Sequence, residues 1–273
     1  MDFRDRLERA WRTRDSMLCV GLDPDPTRFP ACVGRDRDAV VPFLEAIVAA
    51  TSDLVCAFKP QIAHFAAIGA EPALERVIET IRREAPEAVV ILDAKRGDIG
   101  STAEMYAREA FDRYGADAVT VNPYLGSEGL TPFLARPDRG AVILCRTSNV
   151  SGAELQDVPP EAPLFERVAQ LAAERWNAAG NVMLVAGATR PEELARIRTL
   201  APELPLLVPG IGAQGGDVDK VVAAGIDARG RGLVVSSSRA VLYASSGEDF
   251  AEAARAEAMR TRDALRAAVF GVN

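Results

Sequence analysis

Among the 32 basic residues of this 273-residue chain only three are lysines: Lys59, Lys95 and Lys220. Two of the three end apolar runs, Lys59 after Val55-Cys56-Ala57-Phe58 and Lys95 just past Val89-Val90-Ile91-Leu92. Arginine stays protonated under almost all conditions, whereas lysine can be tuned to release a proton, so a proton donor calls for lysine. Asp93-Ala94-Lys95-Arg96-Gly97-Asp98 sets two carboxylates beside one ammonium, and strand alternation places Asp93 and Lys95 on one face. Such crowding is costly unless the charges are used. The plainer alternative is a structural ion pair at a strand end.

A second constellation has the chemistry of anion binding. Pro209-Gly210-Ile211-Gly212-Ala213-Gln214-Gly215-Gly216 follows the apolar run 206–208, and Ser238-Arg239 follows the run 233–235. Glycines let backbone N–H groups approach an anion, a helix start adds its dipole, and Arg239 adds a fork of donors. A glycine loop alone is equally a tight turn; paired with an arginine one strand later it points to phosphate. It is not a dinucleotide fingerprint, because it does not open the first helix of a βαβ unit. Asp23, Asp93 and Asp98 could hold Mg²⁺, but Lys59 and Lys95 project into the same space and compete with a divalent cation. The expected site is metal-free, with no cofactor. His64, the one histidine, reads as structural, and Lys220 as surface.

The elements that position these residues follow from periodicity. Strands are expected at 17–22, 54–58, 88–92, 118–121, 141–145, 182–185, 206–208 and 233–235. Helices are expected at 3–14 and 39–51, around 74–81 and from Ser101 to about Gly115. Further helices are expected from 164 to Gly180, from Pro191, around Lys220 and from about Glu248. Ser101-Thr102-Ala103-Glu104 has capping-box form, and Thr189-Arg190-Pro191-Glu192 reads as a second capped start. The segments 125–139 and 146–163 read as long loops, the latter of lid character. Eight alternating pairs, with polar residues after every strand, describe one TIM (β/α)8 barrel domain over residues 1–273 whose strand C-termini open on a single site. An open doubly wound sheet is the structural alternative.

The net charge of −7 without a basic stripe argues against nucleic acid. No apolar run reaches spanning length, so no membrane is expected. The four cysteines lack C-x-x-C spacing and read as free thiols of a cytoplasmic protein.

Asp93-x-Lys95-x-x-Asp98-Ile99, Lys59 in Phe58-Lys59-Pro60-Gln61, Asp23 ending the first strand, and Pro209–Gly216 with Arg239 together resemble orotidine 5'-phosphate decarboxylase, most closely its longer bacterial branch, over about residues 17–245. The D-x-K-x-x-D element alone is shared with Mg²⁺-dependent sugar-phosphate lyases of the same suprafamily, which carry an acid where this chain has Lys59. The resemblance implies orotidine 5'-monophosphate as substrate and UMP and CO₂ as products, the last step of de novo pyrimidine synthesis. It implies Lys95 as proton donor to C6, Asp93 beside the scissile carboxylate, and Lys59 and Asp98 completing an alternating charge network. Asp98 and Thr102 are implied to reach the neighbouring site of a homodimer, and Asp23 and Lys59 to hold ribose hydroxyls. Ser148 is implied to contact the pyrimidine and Gln214 to link that contact to the phosphate. Pro209 is implied to line the pocket, and Arg239, with backbone N–H groups near Gly215 and Ser238, to grip the phosphate. Two departures from the family pattern are Ser238, where glycine is common, and Ser148-Asn149-Val150, which lacks the usual proline. A barrel that binds nucleotides without catalysis is the alternative from outside the enzymes.

Overall fold

The computed structural model describes residues 1–211 and 217–272. Its strands are β1 (Leu18–Leu22), β2 (Ala57–Pro60), β3 (Val89–Arg96), β4 (Ala118–Val121), β5 (Gly140–Arg146), β6 (Val182–Ala186), β7 (Leu206–Pro209) and β8 (Leu233–Ser237). Each pairs in parallel with the next, and β8 returns to pair with β1. The closing ladder matches Leu18 to Val235 and Val20 to Ser237. The open doubly wound sheet is thereby excluded.

The strands are almost wholly buried, as expected where helices cover the outer face and side chains fill the inner one. The covering helices follow in order: Val40–Thr51, Glu71–Glu84, Gly100–Arg108, Gly126–Leu134, Leu164–Leu171, Pro191–Leu200, Val218–Gly225 and Phe250–Val272. In Val40–Thr51 the residues Phe43, Leu44, Ile47 and Val48 are buried, one apolar stripe at helical spacing. The leading helix Phe3–Arg14 closes the end of the barrel opposite the strand C-termini. Phe3 N–H bonds to the Pro137 carbonyl, and the Phe3 ring lies where a Cβ on Gly140 would stand.

Four local expectations are corrected. The second strand lies at Ala57–Pro60 rather than 54–58, so Lys59 is inside it, paired with Gly21. The segment 125–139 is not a loop but contains the helix Gly126–Leu134, disguised by Gly129 and Pro132. Gly129 has a packing reason: a Cβ there would meet the Asp98 carbonyl oxygen at 2.9 Å. Neither expected cap forms. The helix after β3 begins at Gly100 (φ 54°) behind Ile99, leaving Ser101 inside it. The helix Pro191–Leu200 starts behind Arg190, and the Thr189 hydroxyl turns to the Ser148 carbonyl at 3.4 Å. At Thr189 a tertiary partner outcompeted the local cap.

Candidate active site

The C-terminal end of β3 departs from regular strand geometry. The ladder to β4 runs through Leu92↔Val119 and resumes only at Arg96↔Val121, with Asp93, Ala94 and Lys95 bulged between. Lys95 takes φ 46°, a left-handed backbone that disfavours a residue with a Cβ. Asp93 and Lys95 do meet, but through this bulge and not through strand alternation.

Thr120 on β4 holds the bulge. Its Oγ1 accepts the N–H groups of Ala94 and Lys95, both at 2.9 Å, and donates to Asp93 Oδ1 at 2.8 Å. The two amides displaced from the ladder are thereby satisfied, as buried donors must be. Thr120 is absent from the sequence-derived site. The available signal was a lone hydroxyl in the otherwise apolar Ala118-Val119-Thr120-Val121.

Asp93 is the hub. Oδ1 accepts Lys95 Nζ at 2.7 Å and Oδ2 accepts Lys59 Nζ at 2.9 Å. The Asp93 and Lys59 side chains are 10% and 7% exposed, whereas Lys95 is 50% exposed. Burial alone would raise the Asp93 pKa, but the ammonium groups of Lys59 and then Lys95 outweigh it and hold the carboxyl well below the usual range. Burial would likewise lower Lys59, yet Asp93 and then Asp23 overcome it and raise Lys59 above the ordinary lysine range. The result is a fixed, fully charged cluster at the mouth of the barrel.

Asp23, at the end of β1, lines a cavity of about 130 Å³ with Lys59, Pro209, Ser236, Ser238 and Arg239. Its Oδ1 is buried without a hydrogen-bond partner among the described residues. Arg239 is exposed, and its guanidinium makes no hydrogen bond among the described residues. Ser238 stands directly over Gly21 of β1, where any Cβ would overlap its Oγ. The barrel accommodates the Ser238 departure by a glycine opposite. Gln214 and Gly215 lie outside the described residues.

On the far side of the mouth, Ser148 rests on Gly187 at the end of β6, where a Cβ would come within 2.9 Å of the Ser148 N and Cα atoms. The loop that carries Ser148 is pinned rather than free, contrary to the long-loop expectation. It contains the short turns Val150–Gly152 and Ala153–Gln156. Arg146, a guanidinium only 2% exposed, holds them. It pairs with Glu193 at 2.7 Å and Asp157 at 3.2 Å, and donates to Gln156 Oε1 at 3.0 Å. Gln156 Oε1 also accepts the Thr147 N–H at 2.9 Å. Sequence reading passed over Arg146, which in isolation looks like one more surface arginine.

The remaining candidates are placed but not assembled. Asp98 accepts only the adjacent Ile99 N–H, at 2.8 Å, and forms no ion pair among the described residues. Thr102 is exposed on the following helix. Within one chain neither reaches Lys95. His64 Nδ1 lies 3.0 Å from the Pro24 carbonyl and ties down the loop after β1, a structural role. Lys220 is exposed and pairs with Asp217. Cys19, Cys56 and Cys145 are buried free thiols, and burial pushes Cys19 up to about 12.

Among the described residues no three His, Cys, Asp or Glu side chains converge as metal ligands. The Lys59 ammonium pairs with Asp93 and lines the same cavity as Asp23. The arrangement sets a half-exposed ammonium beside a buried carboxylate, with a pocket lined by Asp23, Lys59 and Arg239 to one side.

Comparison with known proteins finds relatives over nearly the whole chain. Residues 16–256 match the family described as orotidine 5'-phosphate decarboxylase / HUMPS. The orotidine 5'-phosphate decarboxylase of Azoarcus sp. (strain BH72) is 61% identical, the alignment covering 98% of this chain and 99% of the relative. That of Aromatoleum aromaticum is 58% identical over 97% and 98%. The solved OMP decarboxylase of Leishmania donovani superposes with a TM-score of 0.87 at 37% identity, covering 99% of each chain. The chain belongs to the orotidine 5'-phosphate decarboxylase / HUMPS family.

Proposed function

We propose that this protein decarboxylates orotidine 5'-monophosphate to UMP and CO₂, the last step of de novo pyrimidine synthesis, without a cofactor and with Lys95 as the proton donor. The observation that carries the reading is the cluster Lys59–Asp93–Lys95, with an ammonium at each carboxylate oxygen. Family membership supports the substrate. As the C6–carboxylate bond breaks, its electron pair stays on C6, CO₂ departs, and the Lys95 ammonium transfers a proton to that carbon. The resulting amine regains a proton from water. Asp93 stands beside the departing carboxylate, disfavouring negative charge there while Lys95 favours it at C6. The charges are fixed in advance by Thr120 and the bulge, so little reorganisation accompanies the reaction.

Asp23 and Lys59 bind the ribose hydroxyls, and Arg239 with Pro209, Ser238, Gly215 and Gln214 forms the phosphate side of the site. Phosphate binding is remote from C6, and its energy serves to hold the substrate against the charged cluster. Ser148 contacts the pyrimidine. Gly187→Ala pushes a Cβ against the Ser148 backbone and is expected to lower kcat/KM for orotidine 5'-monophosphate about 30-fold, since displacements near 1 Å cost up to about 100-fold. The same variant should also melt below wild type, because the displaced atoms are backbone of a loop held by buried Arg146; steady-state kinetics and calorimetry check both.

The active unit is a homodimer in the cytoplasm. Lys95 is half-exposed, and Asp98 and Thr102 lie on a segment that also exposes Ile99 and Met105. A second copy laid on that segment would cover Lys95 and bring Asp98 to it.

The test is the loss of orotidine 5'-monophosphate absorbance with purified protein in excess EDTA. Turnover unchanged by the chelator is expected. A loss that Mg²⁺ restores would move the reading to the sugar-phosphate lyases. No turnover by a folded protein that binds UMP would leave a nucleotide-binding barrel.

A further inference from the structure

Tyr243 lies outside every catalytic and binding role given above, yet its hydroxyl joins two parts of the site. Tyr243 Oη donates to the Asp23 carbonyl at 3.0 Å and accepts the Asp25 N–H at 2.8 Å, closing the turn that follows β1. Its own N–H bonds to the Arg239 carbonyl at 3.2 Å, ending the short helix Arg239–Leu242. The ring is fixed on both faces. Phe43 stacks at 6.1 Å between centroids and 11° between planes, and the Arg28 guanidinium lies 3.9 Å from the ring centroid. Burial pushes the phenol up to about 12, so it remains a neutral donor throughout the working range. At the other end of the Asp23 residue, the side chain carries a buried Oδ1 with no hydrogen-bond partner among the described residues, and Asp23 lines the cavity that Arg239 also lines.

We propose that Tyr243 is a positioning residue that ties the carboxylate of Asp23 to the helix of Arg239, so that ribose orientation and phosphate engagement are set together. The inference rests on the substrate reading above. A free turn at Asp23-Pro24-Asp25 would let the carboxylate swing toward solvent and bond to water. With its carbonyl held by Oη, the residue stays in the cavity wall. Because the same tyrosine continues directly from Arg239–Leu242, a shift of Arg239 onto a phosphate reaches Asp23 through one covalent turn and one hydrogen bond.

Tyr243→Phe isolates the hydroxyl, since phenylalanine keeps the stacking on Phe43 and the contact with Arg28. It is expected to lower both UMP affinity and kcat/KM for orotidine 5'-monophosphate about tenfold, the cost of one misplaced positioning contact. The deciding measurement is a double-mutant cycle. In an Asp23→Ala background Tyr243→Phe should have no further effect, whereas in a Ser148→Ala background its full effect should persist. Equal losses in both backgrounds, or a Tyr243→Phe protein that binds UMP as wild type does, would overturn the inference. Calorimetric UMP binding completes the cycle without turnover. A wild type that binds UMP but does not decarboxylate therefore defeats the substrate reading alone, and the cycle still decides on Tyr243.

Discussion

Lys95→Ala should reduce kcat for orotidine 5'-monophosphate by about 10⁴-fold or more, with the fold intact. General-acid donation contributes about 10²–10⁴-fold, and a fixed charge beside a developing anion about 10²–10³-fold more. In the proposed mechanism Lys95 supplies both from one ammonium, which lies 2.7 Å from Asp93. Its side chain is half-exposed and caps no core, so melting should change little. Lys95→Arg should fare no better, because arginine keeps the positive charge but does not release its proton. Loss of substrate absorbance, with UMP binding as the control for folding, measures this. A Lys95→Ala protein within tenfold of wild type would remove Lys95 from the chemistry. Mixing inactive Lys95→Ala and Asp98→Ala chains extends the test to the dimer. If Asp98 completes the partner's site, half the reassorted dimers hold one intact site, and about a quarter of wild-type activity returns. No recovery would confine Asp98 to its own chain.

Asp93→Asn should impair both activity and stability, because Asp93 is the one carboxylate shared by both lysines. The amide keeps the shape and loses the charge, leaving Lys59 buried with its main partner gone. Breaking one side of a buried pair costs about 3–5 kcal/mol, which corresponds to roughly 10 °C in Tm for a chain of this size. Activity should fall at least about 10³-fold, since Lys95 loses the group that aims it. Calorimetry and the absorbance assay test the two arms separately. An Asn variant as stable as wild type would show that the cluster is not held by Asp93.

The same pairing fixes the pH dependence. Asp93 has a depressed folded pKa, so its contribution is present above its unfolded value near pH 4 and is lost as pH falls through the folded value. Lys59 has a raised folded pKa, so its contribution is complete below an unfolded value of 10.5 and is lost as pH rises through the folded one. Between about pH 5 and pH 9 neither group titrates. Wild-type stability should therefore decline below about pH 4, and Asp93→Asn should flatten that limb.

Much of this protein was legible in its sequence, because local patterning carries local information. Runs such as 118–121 and 182–185, bounded by turn residues, marked strands close to where they lie, and their alternation with amphipathic helices gave the barrel. Asp93, Lys95, Lys59, Asp23 and Arg239 stood at strand ends, and in a parallel barrel all strand ends of one kind face one mouth. The shortage of lysine singled out the two that meet at Asp93.

What only the tertiary structure decided is what each of those residues touches. Thr120 lies 27 residues from Asp93, Glu193 lies 47 from Arg146, and Tyr243 lies 220 from Asp23. No period of two or 3.6 residues reports such separations; the register between strands does, and register is set by packing the whole barrel. The bulge at Asp93–Lys95, the missing cap at Thr189 and the helix around Gly129 share that cause. Each is a place where a distant partner offered the backbone a better arrangement than its neighbours could. The sequence by itself determined which charges exist and which end of the barrel they occupy. The closed ladder determined their distances, and with them which carboxylate is buried, which lysine is buried beside it and which stays half-exposed.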